Sequence, residues 1–235
     1  MGLFGFGKKN RGVDTTPPVT QQAPVMTNTQ AMPTTGHEVT LDLSKGGLLN
    51  LQKNDFLDLS KVESTFEHMR VSAGWDVNVG RGDDYDLDLC AMLIGADGRV
   101  VDSVNNLVYY GKKESQGIEL DHDNLTGEGE GDDENMFVNL TKIHPDVYKI
   151  LLCVVIYQGR SRGQYFGKVR NAYVRLVDEG VHPEKEICRY NLSEDGGRAT
   201  AVKFAELDRN PHGWSFKAIG EYANATIEDI RNQYR

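Results

Sequence analysis

From Val39 onward the sequence is a succession of short apolar or alternating runs punctuated by turn residues, and this rhythm restricts the fold more than any other feature. Val39-Thr-Leu-Asp-Leu and Leu48-Leu-Asn-Leu-Gln-Lys flank Lys45-Gly46-Gly47, the pattern of a hairpin. Met69–Val77 and Tyr85–Ile94 read as strands, and Gly95-Ala-Asp-Gly98 turns the chain back into Arg99-Val-Val and Asn106–Tyr110. Asn135–Leu140, Tyr173–Val177, Glu186–Leu192, Ala201–Leu207 and Trp214–Ile219 repeat the pattern. Lys149-Ile-Leu-Leu-Cys-Val-Val-Ile-Tyr is the most apolar run and therefore a central strand. Only the end reads as helix: Thr226 is a candidate N-cap with Asp229 three residues on, and Ile227, Ile230 and Tyr234 share a face. Many short strands without a strand–helix–strand alternation predict an all-β fold, a β-sandwich with a short C-terminal helix.

At 235 residues the chain can bury one sizeable core. The first 36 residues read separately. Leu3, Phe4 and Phe6 precede Lys8, Lys9 and Arg11, and the stretch to residue 36 is rich in Thr and Gln and holds four of the seven prolines. A secretory signal carries its charges first and a longer apolar segment, and a myristoylation site needs Ser or Thr where Phe6 stands. Residues 1–36 are thus expected to be a disordered or docking tail, its tip of Leu3, Phe4, Phe6, Lys8 and Lys9 binding a protein partner or touching a membrane surface. Residues 37–235 form the folded domain.

The net charge of the whole chain is −9. The tail carries three cations against Asp14, so the body is more acidic still. An acidic body excludes a duplex-binding protein, whose phosphate contacts need a basic face, so no nucleic-acid partner is expected. Cys90, Cys153 and Cys188 sit apart within apolar runs and read as buried, reduced thiols of a cytoplasmic protein. No apolar run approaches the roughly 20 residues of a membrane-spanning helix.

The acid is concentrated. Residues 119–134 hold eight carboxylates and no Lys or Arg. Gly127, Gly129 and Gly131 alternate with acids, so the backbone can bend and turn carbonyls inward. Like charges so close need bulk water or a cation. Carboxylates, backbone carbonyls and the Asn124 amide are the hard oxygen donors that Ca²⁺ takes in sets of 6–8. Zinc would want clustered His or Cys, and both are scattered here; Mg²⁺ keeps more water and competes less well. The spacing is not that of an EF-hand: counted from Asp121, Leu125 occupies a ligand position and Thr126 the turn position. Ligands must then come from more than one loop. Asp86 and Asp88 offer them, because on a strand they share one face while Leu87 and Leu89 point into the core. The plain alternative for any acidic loop is a solvated surface.

Six segments carry a family resemblance: Leu43-Ser-Lys-Gly-Gly47, Gly74-Trp-Asp76, Asp86-Leu-Asp88, Asp123-Asn-Leu-Thr-Gly-Glu-Gly-Glu-Gly-Asp-Asp-Glu134, Arg162-Gly-Gln-Tyr-Phe-Gly167 and Leu192-Ser-Glu-Asp195. They stand in the order found in TerD-family proteins, the bacterial tellurium-resistance and stress-response domains, and the chain resembles that family from about Val39 to about Tyr222. The long acidic motif is the specific one; Gly-Trp-Asp alone would carry little. The resemblance implies a β-sandwich similar in appearance to C2 domains, Ca²⁺ between loops at one edge, a cytoplasmic setting and no catalysis. It implies ligands from Asp86 and Asp88 in one loop and from Asp123, Asn124, Glu128, Glu130, Asp132, Asp133 and Glu134 in the other. That set exceeds what one ion needs, so two adjacent ions are expected. Partners would be proteins, including other TerD-like chains or a larger assembly. The tail, a long polar segment from Asn54 to Val71 and the C-terminal helix depart from the family pattern.

Two further readings stay open at this stage: a structural component that the tail stitches into an assembly, and a Mg²⁺-dependent hydrolase built on the acidic cluster. The basic loop Gln158–Gly163 could meet an anion, or could simply neutralise nearby acids. The six histidines form no triad spacing with a Ser or Cys, and His122 reads as a solvated neighbour of the acids. Trp75 and Trp214 read as core anchors.

Overall fold

The computed structural model describes residues 38, 55–59, 67–181 and 183–235. The tail tip Leu3, Phe4, Phe6, Lys8 and Lys9, the Val39–Lys53 hairpin and the Leu43–Gly47 segment lie outside the described residues.

Two six-stranded antiparallel sheets are stacked. The first runs in the order β1 (Phe56–Asp58), β12 (Gly213–Ala223), β11 (Ala201–Asn210), β8 (Lys149–Ile156), β3 (Leu87–Ile94) and β4 (Leu107–Val108). The second runs β10 (Lys185–Asn191), β9 (Tyr173–Asp178), β2 (His68–Gly74), β7 (Glu134–Asn139), β6 (Ile118–Leu120) and β5 (Glu114–Ser115). The predicted sandwich is therefore present, with β8 inside its sheet between β11 and β3.

Alternation explains the layers. Leu87, Leu89, Ala91 and Leu93 of β3 join Ile150, Leu152, Val154 and Ile156 of β8 in the inter-sheet core, against Met69, Val71 and Ala73 of β2 and Val174 and Leu176 of β9. Each fully buried aliphatic contributes about 1.5–3 kcal/mol. The intervening residues of the first sheet are also apolar. Cys90, Met92, Ile94, Leu151, Cys153 and Val155 form a second cluster, closed by Ile227, Ile230 and Tyr234 of the C-terminal segment. That is why Lys149–Ile156 reads as an unbroken apolar run: both of its faces are covered. The helix doing the covering is α3 (Ile227–Arg231), started by the capping box that the sequence indicates, with Thr226 Oγ1 accepting from Asp229 N–H and Asp229 Oδ2 from Thr226 N–H.

Three expectations need correction. Two further one-turn helices exist, α1 (Gly159–Arg162) and α2 (Leu192–Asp195), too short to leave a periodic trace. Arg99-Val-Val makes only an isolated bridge, Val100 with Ile94, and Asn106–Tyr110 contributes a two-residue strand. The acidic stretch is not all loop, since Glu119 and Leu120 belong to β6, where Leu120 is buried and Glu119 exposed. All three cysteines are free and buried, as expected. No helix among the described residues is long and apolar enough to cross a membrane.

Candidate metal centre

At one end of the sandwich the loop from β2 to β3 meets the loop from β6 to β7. Trp75 opens the first and is buried, as expected of a core anchor; its indole Nε1–H donates to Tyr85 O at 2.9 Å. Gln164, also buried, uses Nε2 to donate to the carbonyls of Asp83 and Asp84, at 2.9 and 3.0 Å. Tyr157 N–H donates to Asp86 O at 2.8 Å. The backbone ahead of β3 is thus fixed before Asp86 and Asp88 place their side chains.

The second loop is organised by its amide and by one glycine. Asn124 Oδ1 accepts from the N–H groups of Thr126 and Gly127, at 3.0 and 2.9 Å, an Asx turn. Its Nδ2 donates to Asp133 Oδ1 at 3.0 Å. Gly127 has φ +75°, and a Cβ there would stand 2.6 Å from the Trp75 ring, so only glycine lets the loop close on the tryptophan. Asp133 Oδ2 accepts from Trp75 N–H at 2.8 Å, tying the two loops together.

Here the predicted residues separate into four groups. Asp86, Asp88 and Asp123 come together, each offering a carboxylate oxygen within 4.8 Å of the others. Glu134 joins them electrostatically, and its Oε2 accepts from Leu89 N–H at 2.7 Å, where β4 has ended and left the edge of β3 unpaired. Asn124 and Asp133 spend their side chains on the loop itself. Glu128 and Glu130 are exposed. Asp132 belongs elsewhere: its oxygens take Arg175 Nε at 2.8 Å, Arg175 Nη2 at 2.5 Å, Arg70 Nη1 at 2.9 Å and the Tyr173 hydroxyl at 2.9 Å. Its carboxylate is already neutralised, so the side-chain ligand role expected for Asp132 gives way to an ion-pair role.

The cluster of Asp86, Asp88, Asp123 and Glu134 has the opposite character. Asp86 Oδ1, Asp88 Oδ2, Asp123 Oδ1 and Glu134 Oε1 are all buried without a hydrogen-bond partner among the described residues. Burial, reinforced by the charges of Asp86, Glu134 and Asp123, pushes the Asp88 carboxyl up to about 9. Burial raises Glu134 to about 8, with Asp123 adding to the shift and the Leu89 N–H opposing it. Burial and Asp123 raise Asp86 to about 6 against the pull of Arg162. Buried carboxylates with spare oxygens are costly unless protonated or bound to a cation. The donors are all hard oxygens, which suit Ca²⁺ or Mg²⁺ and not zinc. The residues fit a divalent cation, and the described residues gather one such group.

Sequence reasoning missed Gln164, which holds the first loop, although it lies within the Arg162–Gly167 segment; nothing in its spacing marks a role. The basic loop Gln158–Gly163 takes the plainer reading. Arg160 pairs with Asp229 at 2.9 Å and Arg162 stands 4.0 Å from Asp83, so these arginines neutralise neighbours. His122 is exposed beside Asp121 at 3.2 Å.

Comparison with known proteins gives the family and the fold. Residues 48–234 match the TerD domain model. The chain is 37% identical over 197 residues to the tellurium resistance protein TerD of an Alcaligenes species, covering 83% of this chain and 97% of that protein. It is 37% identical over 189 residues to general stress protein 16U of Bacillus subtilis, covering 79% and 96%. A crystal structure of a TerD homologue from Streptomyces coelicolor shares the fold with a TM-score of 0.59 at 24% identity, covering 69% of this chain and 93% of that one. The chain belongs to the TerD domain family.

Proposed function

We propose that this protein is a Ca²⁺-binding interaction module of the tellurium-resistance and stress-response type. One observation carries the reading: Asp86, Asp88 and Asp123 bring carboxylate oxygens within 4.8 Å of one another beside Glu134, and each of the four acids keeps a buried oxygen with no hydrogen-bond donor among the described residues. Asp86, Asp88, Asp123 and Glu134 would hold the ion, and when bound it supplies positive charge that replaces the protons these acids otherwise retain. A second ion, as the resemblance implies, would draw on the exposed Glu128 and Glu130.

The chain's own residues do the rest. Trp75, Asn124 and Asp133 lock one loop to the other, so a change in charge at the cluster is felt by the whole loop surface. That surface, including the exposed Leu125 and Val79, is what a protein partner would meet. The tail would recruit or localise the module in the cytoplasm or at the inner face of a membrane. The relatives' names support the stress setting.

The reading is of a binder and not of a catalyst. The buried thiols do not favour nucleophilic chemistry: burial pushes Cys188 up to about 12, and the neighbouring Cys153 together with burial raises Cys90.

Calorimetric titration of the chelator-treated protein tests it. Micromolar Ca²⁺ should bind and raise the melting temperature by mass action, with a much smaller response to Mg²⁺. No Ca²⁺ binding, or turnover of phosphodiesters on adding Mg²⁺, would overturn the reading. A pulldown with and without chelator would then identify the partner.

A further inference from the structure

On the outer face of the first sheet, between α3 and the segment after β4, lies a cavity of about 560 Å³. It falls within the size range of small-molecule sites. Three tyrosines line it. Tyr109 and Tyr110 meet edge to face with ring centroids 4.8 Å apart, and Tyr110 and Tyr157 do so at 5.5 Å. Asp88 forms part of the same wall, is 2% exposed and keeps Oδ2 without a partner among the described residues. Asp88 therefore belongs both to the carboxylate cluster and to the cavity.

The cations on the wall are Lys112 and Arg231. Arg231 gives Nη2 to Asn106 Oδ1 at 3.0 Å, yet its Nε–H is buried with no acceptor among the described residues. Glu228, also on the wall, stands 3.7 Å from Arg231 and is held more closely by Arg235 at 2.8 Å. That N–H is closed to solvent, so an anion in the cavity would meet the charge and the remaining N–H groups of the guanidinium, whose side chain is 28% exposed. On the rim, Gln158 holds a left-handed backbone with φ 51°, a strain that a non-glycine residue keeps only where its surroundings impose it.

We infer that this cavity binds a ring-bearing, phosphorylated small molecule, the ring packing among Tyr109, Tyr110 and Tyr157 and the phosphate facing Arg231 and Lys112. Aromatic rings stack edge-to-face or offset on such a platform. A guanidinium suits phosphate, and phosphate oxygens are hard donors that a divalent cation also accepts. The cation enters through Asp88, so this inference rests on the Ca²⁺ reading above. Cation and phosphate then strengthen each other's binding, reciprocally.

The test is calorimetry on the full chain in Ca²⁺ buffer with phenyl phosphate as the probe. Phenyl phosphate should bind, and inorganic phosphate and phenol should each bind at least about tenfold more weakly, because each lacks one half of the recognition. Arg231→Gln should weaken phenyl phosphate about tenfold or more while leaving Ca²⁺ affinity unchanged, and Tyr110→Ala should weaken it without loss of Ca²⁺ binding. Replacing Ca²⁺ by chelator should weaken it as well. If Ca²⁺ binds but phenyl phosphate does not, or binds equally to both variants, the cavity is no such site and the metal reading stands. Should inorganic phosphate bind as tightly as phenyl phosphate, the tyrosines play no part and the inference fails. If Ca²⁺ itself does not bind, the metal reading falls and the cation-linked part of this one falls with it.

Discussion

Asp132 and Glu134 stand two residues apart, yet their carboxylates live in opposite chemistry. Asp132 faces the outer side of the second sheet, where Arg70, Arg175 and Tyr173 saturate it. Burial pushes its pKa up, but the hydrogen bonds from Arg175 and Tyr173 and the charges of Arg175 and Arg70 more than offset this, so it sits below its ordinary value. Glu134 is buried among Asp86, Asp88 and Asp123 and is raised to about 8. An acid can serve a cation only if the protein has not already supplied one. Proximity in a Gly- and Asp-rich sequence therefore says little about which acids bind metal; what faces each of them says much more.

The sharpest way to break this comparison is to neutralise one acid from each side. Asp88→Asn should cost about 100-fold in Ca²⁺ affinity and leave the metal-free protein as stable as before, since that carboxyl is already held protonated at neutral pH. Asp132→Asn should change Ca²⁺ affinity little and lower stability by about 2 kcal/mol, because it weakens the hydrogen bonds from Arg70 and Arg175, which keep Glu179, Glu184 and Glu186 as partners. Calorimetry and denaturant unfolding of both variants read the two effects. Equal loss of Ca²⁺ affinity in both would erase the distinction.

A pH series separates the same two groups. Asp86, Asp88 and Glu134 have folded pKa values raised to about 6, 9 and 8, against about 4 when unfolded. Their contribution is complete below the unfolded value and is lost as pH rises through the folded ones. With chelator present, the melting temperature should fall between pH 5 and pH 9. Saturating Ca²⁺ holds the acids ionised and should remove that decline. Asp132, being lowered, contributes in the other direction: its stabilisation is present above the unfolded pKa and is lost as the solution is acidified, with or without Ca²⁺.

Two smaller changes sharpen the picture. Gly127→Ala should cost about 2 kcal/mol through positive φ and the clash with Trp75, and should loosen the metal loop, seen as faster amide exchange at Asn124–Glu128. Tyr173→Phe removes the hydroxyl that donates to Asp132 Oδ1 and Gly131 O, and should cost about 1 kcal/mol in urea unfolding with Ca²⁺ affinity intact.

Much of this was legible beforehand because it depends on local pattern. The strand period, the apolar run of β8, the Thr226–Asp229 capping box and the same-face placement of Asp86 and Asp88 all follow from neighbours in sequence. The short helices α1 and α2 left no trace, since a single turn has no period to detect. The overlong ligand list has a different origin. Composition marks every acid alike, and only the register of β2 against β7 and β9 sends Asp132 toward Arg70 and Arg175.

The sequence by itself determined the sandwich, its C-terminal helix and the concentration of acid at residues 119–134, because each rests on spacing or composition among near neighbours. Only the tertiary structure decided which acids meet which partners, and that one wall of the carboxylate cluster is also the wall of a tyrosine-lined cavity. Both depend on contacts between residues many positions apart, which the packing of the two sheets and the C-terminal helix creates.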